Sequence, residues 1–584
     1  MKIRINKILD RLSQFNVGEH TVVIISMAVV IGILSGFANV LFRAAIHFVH
    51  EVVFVGGSDL LNIDKGGFYK LLLPLLPVCG ALLLIPLSLM FKGDVNGYGF
   101  PRFLEMVNIK GGKIKKRIIP LKILSSAFTI GTGGSAGVEG PIAQIGGAIG
   151  SLVGQIFKVS GNRIKLLIAA GSAGGIAATF NAPIAGVMFA TEIVLLGNYE
   201  LTSFAAIVIS SGIATVVSRI YYGANPIFTV PIYEVNAYEI PLYIIFGIVM
   251  GVVAVLYIKT FYKIKDRFDD LKIPPQLKPV LGAFLVGSMG IFFPHILGDG
   301  YEIIEQALDG NIVFIVLFAL IFFKIIATSL TLGSGGAGGV FAPALFIGAM
   351  AGGAFGWIVH TMFPAYTSNP GAYATVGVGA FLAAATHAPL TAIFLLFEMT
   401  GNYKIIVPIM FASILGTLTA KHLYHDSIDT VELTRKGYNI HEGREATVLS
   451  SIRVNDVMKK EFTTIHEDMD IHSLLENVVD GESFYFPVVD NDDLLTGIVS
   501  FQDIRSVLFE EDLKGLVRVK YLLSRNVIVL KENDNLNTAI ERFAVKDIGE
   551  LPVVDIFNER KIVGMLKRGD VMSAYNRELI KRRF

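Results

Sequence analysis

A lone carboxylate, Glu139, sits inside the glycine-rich turn Gly137-Val138-Glu139-Gly140-Pro141, which closes the stretch Gly131-Thr132-Gly133-Gly134-Ser135-Ala136. Glycine lets the backbone turn and approach a ligand closely. Pro141 suits the first turn of a helix, where no amide hydrogen is needed, and an apolar, helix-compatible run follows from Ile142. A helix start aimed inward offers unpaired N–H groups and a partial positive charge, which suit an anion. Glu139 then sits where that anion would sit. An ionisable side chain at membrane depth costs kilocalories to bury, so it marks a functional site. The implied chemistry is competition between a titratable acid and a small anion for one berth.

Membrane-grade elements must position this turn. The chain has 584 residues, of which 53% are hydrophobic and 17% charged, with 60 glycines. That is too long for one domain and too apolar for an ordinary soluble enzyme. Up to about residue 422, apolar runs recur at spanning length, as in Val22 to Leu41, Leu71 to Met90, Ile240 to Ile258 and Ile312 to Ile326. The basic start MKIRINKILDR carries no small-residue cleavage site after a short apolar stretch and reads as an uncleaved, cytoplasmic end. A net charge of +1 gives no pointer to nucleic acid. The single cysteine, Cys79, excludes internal disulfides and a thiolate metal cluster, and reads as a small buried apolar residue. Neither a His-Glu-x-x-His zinc motif nor a Gly-x-Ser-x-Gly nucleophile turn occurs, so no enzyme is expected. His387 reads as a hydrogen-bonded residue at a helix start.

The membrane half repeats itself. Asn181-Ala182-Pro183 answers His387-Ala388-Pro389, and the Ala-Pro steps lie 206 positions apart (389 − 183), as do Glu192 and Glu398 (398 − 192). Ahead of each lies a glycine turn ending in proline, Gly137 to Pro141 and Gly338-Gly339-Val340-Phe341-Ala342-Pro343. Paired Gly/Pro-broken segments are the sequence pointer to a transport site near the midplane.

From about residue 445 charged residues rise and apolar runs shorten to strand length. Phe486-Pro487-Val488-Val489-Asp490 returns as Leu551-Pro552-Val553-Val554-Asp555. Gly497-Ile498-Val499-Ser500-Phe501-Gln502-Asp503 returns as Gly564-Met565-Leu566-Lys567-Arg568-Gly569-Asp570. This tail resembles a pair of CBS domains, spanning 452–510 and 515–577. The resemblance implies an adenine nucleotide (ATP, ADP or AMP), with Ser500 and Lys567 at phosphate and Asp503 and Asp570 at ribose. A hydroxyl or lysine at a helix start suits phosphate, and a carboxylate suits ribose hydroxyls.

The membrane half, about residues 20 to 435, resembles the CLC family of chloride channels and proton-coupled chloride exchangers. The resemblance rests on Gly97-Tyr98-Gly99-Phe100-Pro101, Gly137-Val138-Glu139-Gly140-Pro141, Asn181-Ala182-Pro183 followed by Glu192, Gly339-Val340-Phe341-Ala342-Pro343, and Gly401-Asn402-Tyr403. It implies a homodimer in the lipid bilayer with one chloride pathway per subunit and Glu139 as the gate. It further implies an anion held by amides near Val138 to Gly140 and at Val340 and Phe341, with Tyr98, Gly99 and Tyr424 at its inner side. Lys122 stands where the family places a buried lysine and would raise the local potential. Amides bind an anion without trapping it as a full charge would.

Four departures bear on mechanism. Tyr98 replaces the family's pore serine. Tyr424, or His425 beside it, is the candidate for the late tyrosine, although the spacing to Asp426-Ser427-Ile428 is off by one residue. Val138 replaces a basic residue, which should weaken anion capture from outside unless another base compensates. In many exchangers a second glutamate follows the residue matching Glu192. Here Ile193 stands there and cannot titrate, which favours passive, channel-like chloride conduction, with proton-coupled exchange the alternative. A fluoride-selective member, a cation-coupled solute carrier and a pure nucleotide sensor are further alternatives.

The expected architecture is therefore an all-α polytopic membrane domain of two inverted repeats (21–435) and a C-terminal α/β CBS pair. The remaining segments are a cytoplasmic N-terminal piece (1–20), a linker (436–451) and a basic tail (578–584), with both termini and the CBS pair cytoplasmic.

Overall fold

Apolar runs of spanning length fold into helices whose outer faces stay apolar. Eight helices among the described residues are long and apolar enough to cross a membrane, including Ile240–Asp270 and Phe314–Gly333. On these two, Ile248, Val252, Phe318 and Phe322 point away from the protein, as lipid-facing side chains must. The helices near the glycine turns are central instead: 89% of Arg163–Phe180 is buried, and 83% of the most apolar 18-residue stretch of Phe341–Met362. The coordinates are a computed structural model. It describes residues 17–438 and 449–581, apart from 92, 96, 160, 198–200, 232, 234–236, 450–451, 479–483, 509–516 and 547. Most of the expected segments 1–20 and 436–451, and the last residues of 578–584, lie outside the described residues. The chain divides into one unit up to Glu432 and another from Leu433.

The internal repeat is a structural one. Helices Asn162–Phe180 and Pro370–Thr386 both end on a left-handed residue, Asn181 (φ 55°) and His387 (φ 59°). A proline-started helix follows each, Pro183–Phe189 and Pro389–Thr400. His387 thus closes one helix rather than starting the next. Glu192 accepts the amides of Leu390 (3.1 Å) and Thr391 (2.6 Å), while Glu398 accepts those of Ile184 (3.0 Å) and Ala185 (2.7 Å). Each half therefore caps the broken helix of the other, satisfying N–H groups that a helix start leaves open. Gly137 and Gly339 pair antiparallel, exchanging two hydrogen bonds of 2.8 Å. Antiparallel pairing of equivalent residues is the local signature of inverted halves.

Close packing explains part of the glycine content. A methyl on Gly146 would lie 2.1 Å from the Gly171 carbonyl, and one on Gly348 would lie 2.3 Å from that of Gly377. Small residues let neighbouring backbones touch at equivalent places in both halves. Cys79 departs from expectation: it lies exposed on helix Leu75–Met90. An apolar side chain on a spanning helix can face the core or point away from it, and Cys79 points away.

In the second unit, β1 (Ile465–His466) pairs parallel with β2 (Tyr485–Val489), which pairs antiparallel with β3 (Leu495–Ser500). The next sheet repeats this with β4 (Leu530–Lys531), β5 (Glu550–Val554) and β6 (Ile562–Lys567). A register shift falls at matching places, Val488/Val489 and Val553/Val554. The leading segments are exchanged. Val454 and Met458 pack into the core of the β4–β6 sheet, and Val519 packs into that of the β1–β3 sheet. Each sequence repeat is completed by the first residues of the other.

Candidate functional site

Glu139 is the first residue of helix Glu139–Ile156 and is fully buried. Its Oε2 accepts the amide of Ala342 at 3.2 Å, and its Oε1 accepts the hydroxyl of Tyr301 at 2.7 Å. Ala342 lies in the first turn of helix Phe341–Met362, behind Val340. The two proline-ended turns therefore meet on one carboxylate, as the repeat predicted. The amide that reaches the acid is one residue beyond the expected pair, Val340 and Phe341, which sit beside it at the helix start. A methyl on Gly137 would lie 2.1 Å from Glu139 Oε2 and 2.9 Å from the Ala342 nitrogen. Glycine there is a steric requirement for the berth. Gly140 is similarly close, a methyl there lying 3.0 Å from Gly339 Cα.

Tyr301 was not legible as a site residue. It starts helix Tyr301–Leu308 after Gly300, which is left-handed (φ 82°). Buried Lys324 donates to the carbonyls of Ile296 and Gly298, each at 3.0 Å, and so fixes the loop that delivers Tyr301. A hydroxyl on a short helix more than a hundred residues away carries no local sequence signal.

Outside the acid lies a cavity of about 980 Å³ whose lining includes Val138, Tyr301, Arg43, His50, His295 and Asp299. Arg43 supplies the positive charge that Val138 does not, brought there from the first spanning helix. Its guanidinium donates to the Thr179 carbonyl and stacks 5.0 Å from the Tyr222 ring. Arg43 shares that lining with the carboxylates of Asp299 and Glu302.

On the other side, Tyr98 is buried and its hydroxyl donates to Asp429 Oδ1. The phenol is committed to a carboxylate here, not free for an anion. The expectation for Tyr424 is corrected. Its ring lies 5.8 Å from Lys259 Nζ, and the late residue that meets Tyr98 is Asp429. Tyr424 merely ends helix Ile406–Leu423, and the chain then tucks inward. The Ile428 amide donates to the Ala385 carbonyl (3.0 Å), and the Tyr262 hydroxyl donates to the Ile428 carbonyl (2.8 Å). His425 is exposed and is not the substitute. Between the two acids, a methyl on Gly99 would lie 2.7 Å from Lys122 Nζ and 3.2 Å from Gln144 Oε1. Gln144 in turn donates to the Gly140 carbonyl at 3.1 Å. Lys122 is buried, so its charge is felt at short range along this line.

In the tail, Asp503 Oδ2 accepts both the amide (2.8 Å) and the hydroxyl (2.7 Å) of Ser500. The two residues expected at a nucleotide form one turn at the start of helix Phe501–Leu508. In the second copy Lys567 pairs with Glu550 at 3.3 Å, and Asp570 Oδ2 is buried without a hydrogen-bond partner.

Inverted broken helices converging on a buried acid, with an amide and a phenol to hold it, define a CLC-type membrane fold and site. Comparison with known proteins agrees. The model of the voltage gated chloride channel family matches residues 79–421, and that of the CBS domain matches 454–510 and 519–577. The chain belongs to this chloride channel family and carries a CBS pair. It is 34% identical over 410 residues to the H(+)/Cl(-) exchange transporter ClcA of Vibrio campbellii, covering 68% of this chain and 86% of that protein. Among solved structures, a slow cyanobacterial Cl-/H+ antiporter is similar at 29% identity and TM-score 0.63, covering 70% of this chain and 97% of that one. A eukaryotic CLC transporter, at 20% identity and TM-score 0.64, shares the fold over 94% of this chain.

Proposed function

We propose that the protein is a proton-coupled chloride exchanger in which Glu139 is both the gate and the outer proton carrier. The observation that carries this is the seating of its carboxylate on the Ala342 amide and the Tyr301 hydroxyl. Donors of that kind would otherwise hold a chloride. An anion arriving from the inner side competes for the Ala342 amide and the neighbouring N–H groups. Displaced Glu139 turns toward the outer cavity, takes a proton there and becomes neutral. The neutral acid no longer competes, so chloride leaves outward; the acid then returns still protonated and releases its proton inward as it becomes a carboxylate again. Proton and anion thus use one berth in alternation, and that alternation is the coupling.

Sequence alone tilted the reading toward passive conduction through Ile193. The exchange names borne by relatives at 34% and 29% identity tilt it back. A buried titratable acid is the part common to both readings, and the mobile proton separates them. Purified protein in liposomes with an imposed chloride gradient provides the test. Chloride movement should drive a change of external pH that a protonophore abolishes. Chloride flux with no accompanying proton movement would return the reading to a passive channel.

The CBS pair is read as a regulatory module that binds an adenine nucleotide. Asp570, with a buried, unpartnered oxygen, is the group best placed to receive a ribose hydroxyl. The assembly is read as a homodimer with both termini and the tail on the cytoplasmic side, following the basic N-terminus.

A further inference from the structure

Asp429 is a second buried carboxylate beside the pathway, and the exchange cycle above makes no use of it. It is 1% exposed. Its Oδ1 accepts the Tyr98 hydroxyl, and its Oδ2 is buried without any hydrogen-bond partner. An ionised carboxylate with one bare oxygen is costly at that depth, because a buried charge needs its lone pairs satisfied. A proton on Oδ2 relieves that cost and makes Oδ1 a weaker acceptor, which loosens its hold on the Tyr98 hydroxyl.

The groups facing it can hold both states. Tyr98 comes from the loop before helix Phe100–Asn108, and helix Ile240–Asp270 contributes Tyr257 and Tyr262. The Tyr257 hydroxyl is itself buried without a partner and lies within electrostatic reach of Asp429. Helix Pro370–Thr386 offers a backbone carbonyl, Ala385, to the same turn. On helix Ile240–Asp270, Lys265 is paired with Glu432 at 3.1 Å and with Asp269 at 3.3 Å. The surroundings are phenols, which can donate to a carboxylate or accept from an acid.

Asp429 also connects to the gate. Rings run from Tyr98 to Phe100 (6.4 Å), Phe189 (5.9 Å) and Phe341 (5.5 Å). Phe341 directly precedes Ala342, whose amide holds Glu139. This packed row links the Tyr98–Asp429 pair to the Glu139 berth through contiguous side chains.

We propose that Asp429 is an inner proton site whose ionised form shuts the inner mouth to anions; this rests on the transport reading given above. Ionised, it repels chloride and occupies the Tyr98 hydroxyl, the donor an anion would use. One proton from water, added at Oδ2, gives a neutral acid, and its O–H and the phenol then become donors for chloride. Loss of that proton to water restores the carboxylate and the closed mouth. No electron is exchanged and no covalent intermediate forms.

The test is chloride flux across a planar bilayer containing the full chain, with the pH of each face set separately. On one face the wild type should change about tenfold per pH unit on the alkaline side of its midpoint, as one titrating group requires. D429N, neutral and of the same shape, should reduce that to less than about twofold, while the response on the other face, where E139Q acts, persists. Y98F keeps the carboxylate but removes its donor, so protonation comes more easily and the midpoint moves to more alkaline pH. Y98F also decides the matter if D429N fails to fold. A D429N protein with the wild-type response on both faces, or a Y98F midpoint that does not move, overturns the proposal. Wild type that carries chloride but no protons would sink the exchanger reading alone, since the chloride readout still judges Asp429.

Discussion

The hydroxyl of Tyr301 donates to Glu139 Oε1 at 2.7 Å, joining residues 162 positions apart. With the Ala342 amide on the other oxygen, the gate is clamped from two elements that belong to the second half of the repeat. The closed state is thus an intramolecular complex between halves, and its strength sets how readily an anion displaces the acid.

Removing one arm of the clamp should loosen it. A hydrogen bond to a charged group contributes roughly 1.5–3 kcal/mol. Tyr301→Phe should therefore raise chloride flux at neutral pH by about tenfold or more, measured as chloride efflux from liposomes. Flux equal to wild type would mean that the phenol does not hold the gate shut.

Glu139→Gln fixes the side chain in a neutral form of nearly the same shape. Chloride should still pass while proton movement stops and the pH dependence assigned to the outer face disappears. If both flux and pH response match wild type, Glu139 has no part in transport.

The reciprocal caps should be equivalent in weight. Glu192→Ala and Glu398→Ala each leave one half-buried and one exposed amide without an acceptor, at a cost of about 1–3 kcal/mol. Both variants should melt earlier than wild type in detergent, by similar amounts. One variant melting as wild type while the other collapses would contradict the two-fold relation of the caps.

Nucleotide binding at the tail is open to calorimetry on the full chain. ATP, ADP or AMP should give a binding heat, and Asp570→Ala should weaken the affinity about tenfold, the loss expected for one hydrogen bond to a charged group. No heat with any of the three would leave the tail as a scaffold.

The tail should also be acid-sensitive in a stated direction. The Lys520 ammonium bonded to Asp468 holds its carboxyl below the usual 3.8, and the backbone amides of Leu494 and Asp492, with the Arg560 guanidinium, do the same for Asp490. A carboxylate whose folded value is depressed stabilises the fold above its unfolded value, and that stabilisation is lost as pH falls through the folded one. Cleavage of the tail by an acid protease should therefore rise as pH drops below about 4. Asp468→Asn together with Asp490→Asn should blunt that rise, and an unaltered profile would exclude these groups as its cause.

Sequence by itself determined the parts whose causes are local or periodic. Apolar run length fixed the spanning helices, proline after glycine marked their broken starts, and equal spacing of Glu192 and Glu398 revealed two halves. The same reasoning placed Glu139 at a helix start, because glycine, proline and a buried acid constrain one another within five residues. Tertiary structure decided what lies across from these residues. Tyr301 meets Glu139, Asp429 rather than Tyr424 meets Tyr98, and Arg43 reaches the Thr179 carbonyl beside the outer cavity. Each is a contact between elements remote in sequence, set by how helices pack and where loops tuck. The outward-facing Cys79 and the exchanged leading segments of the CBS pair have the same origin: an apolar residue states that it leaves water, and only packing chooses its destination.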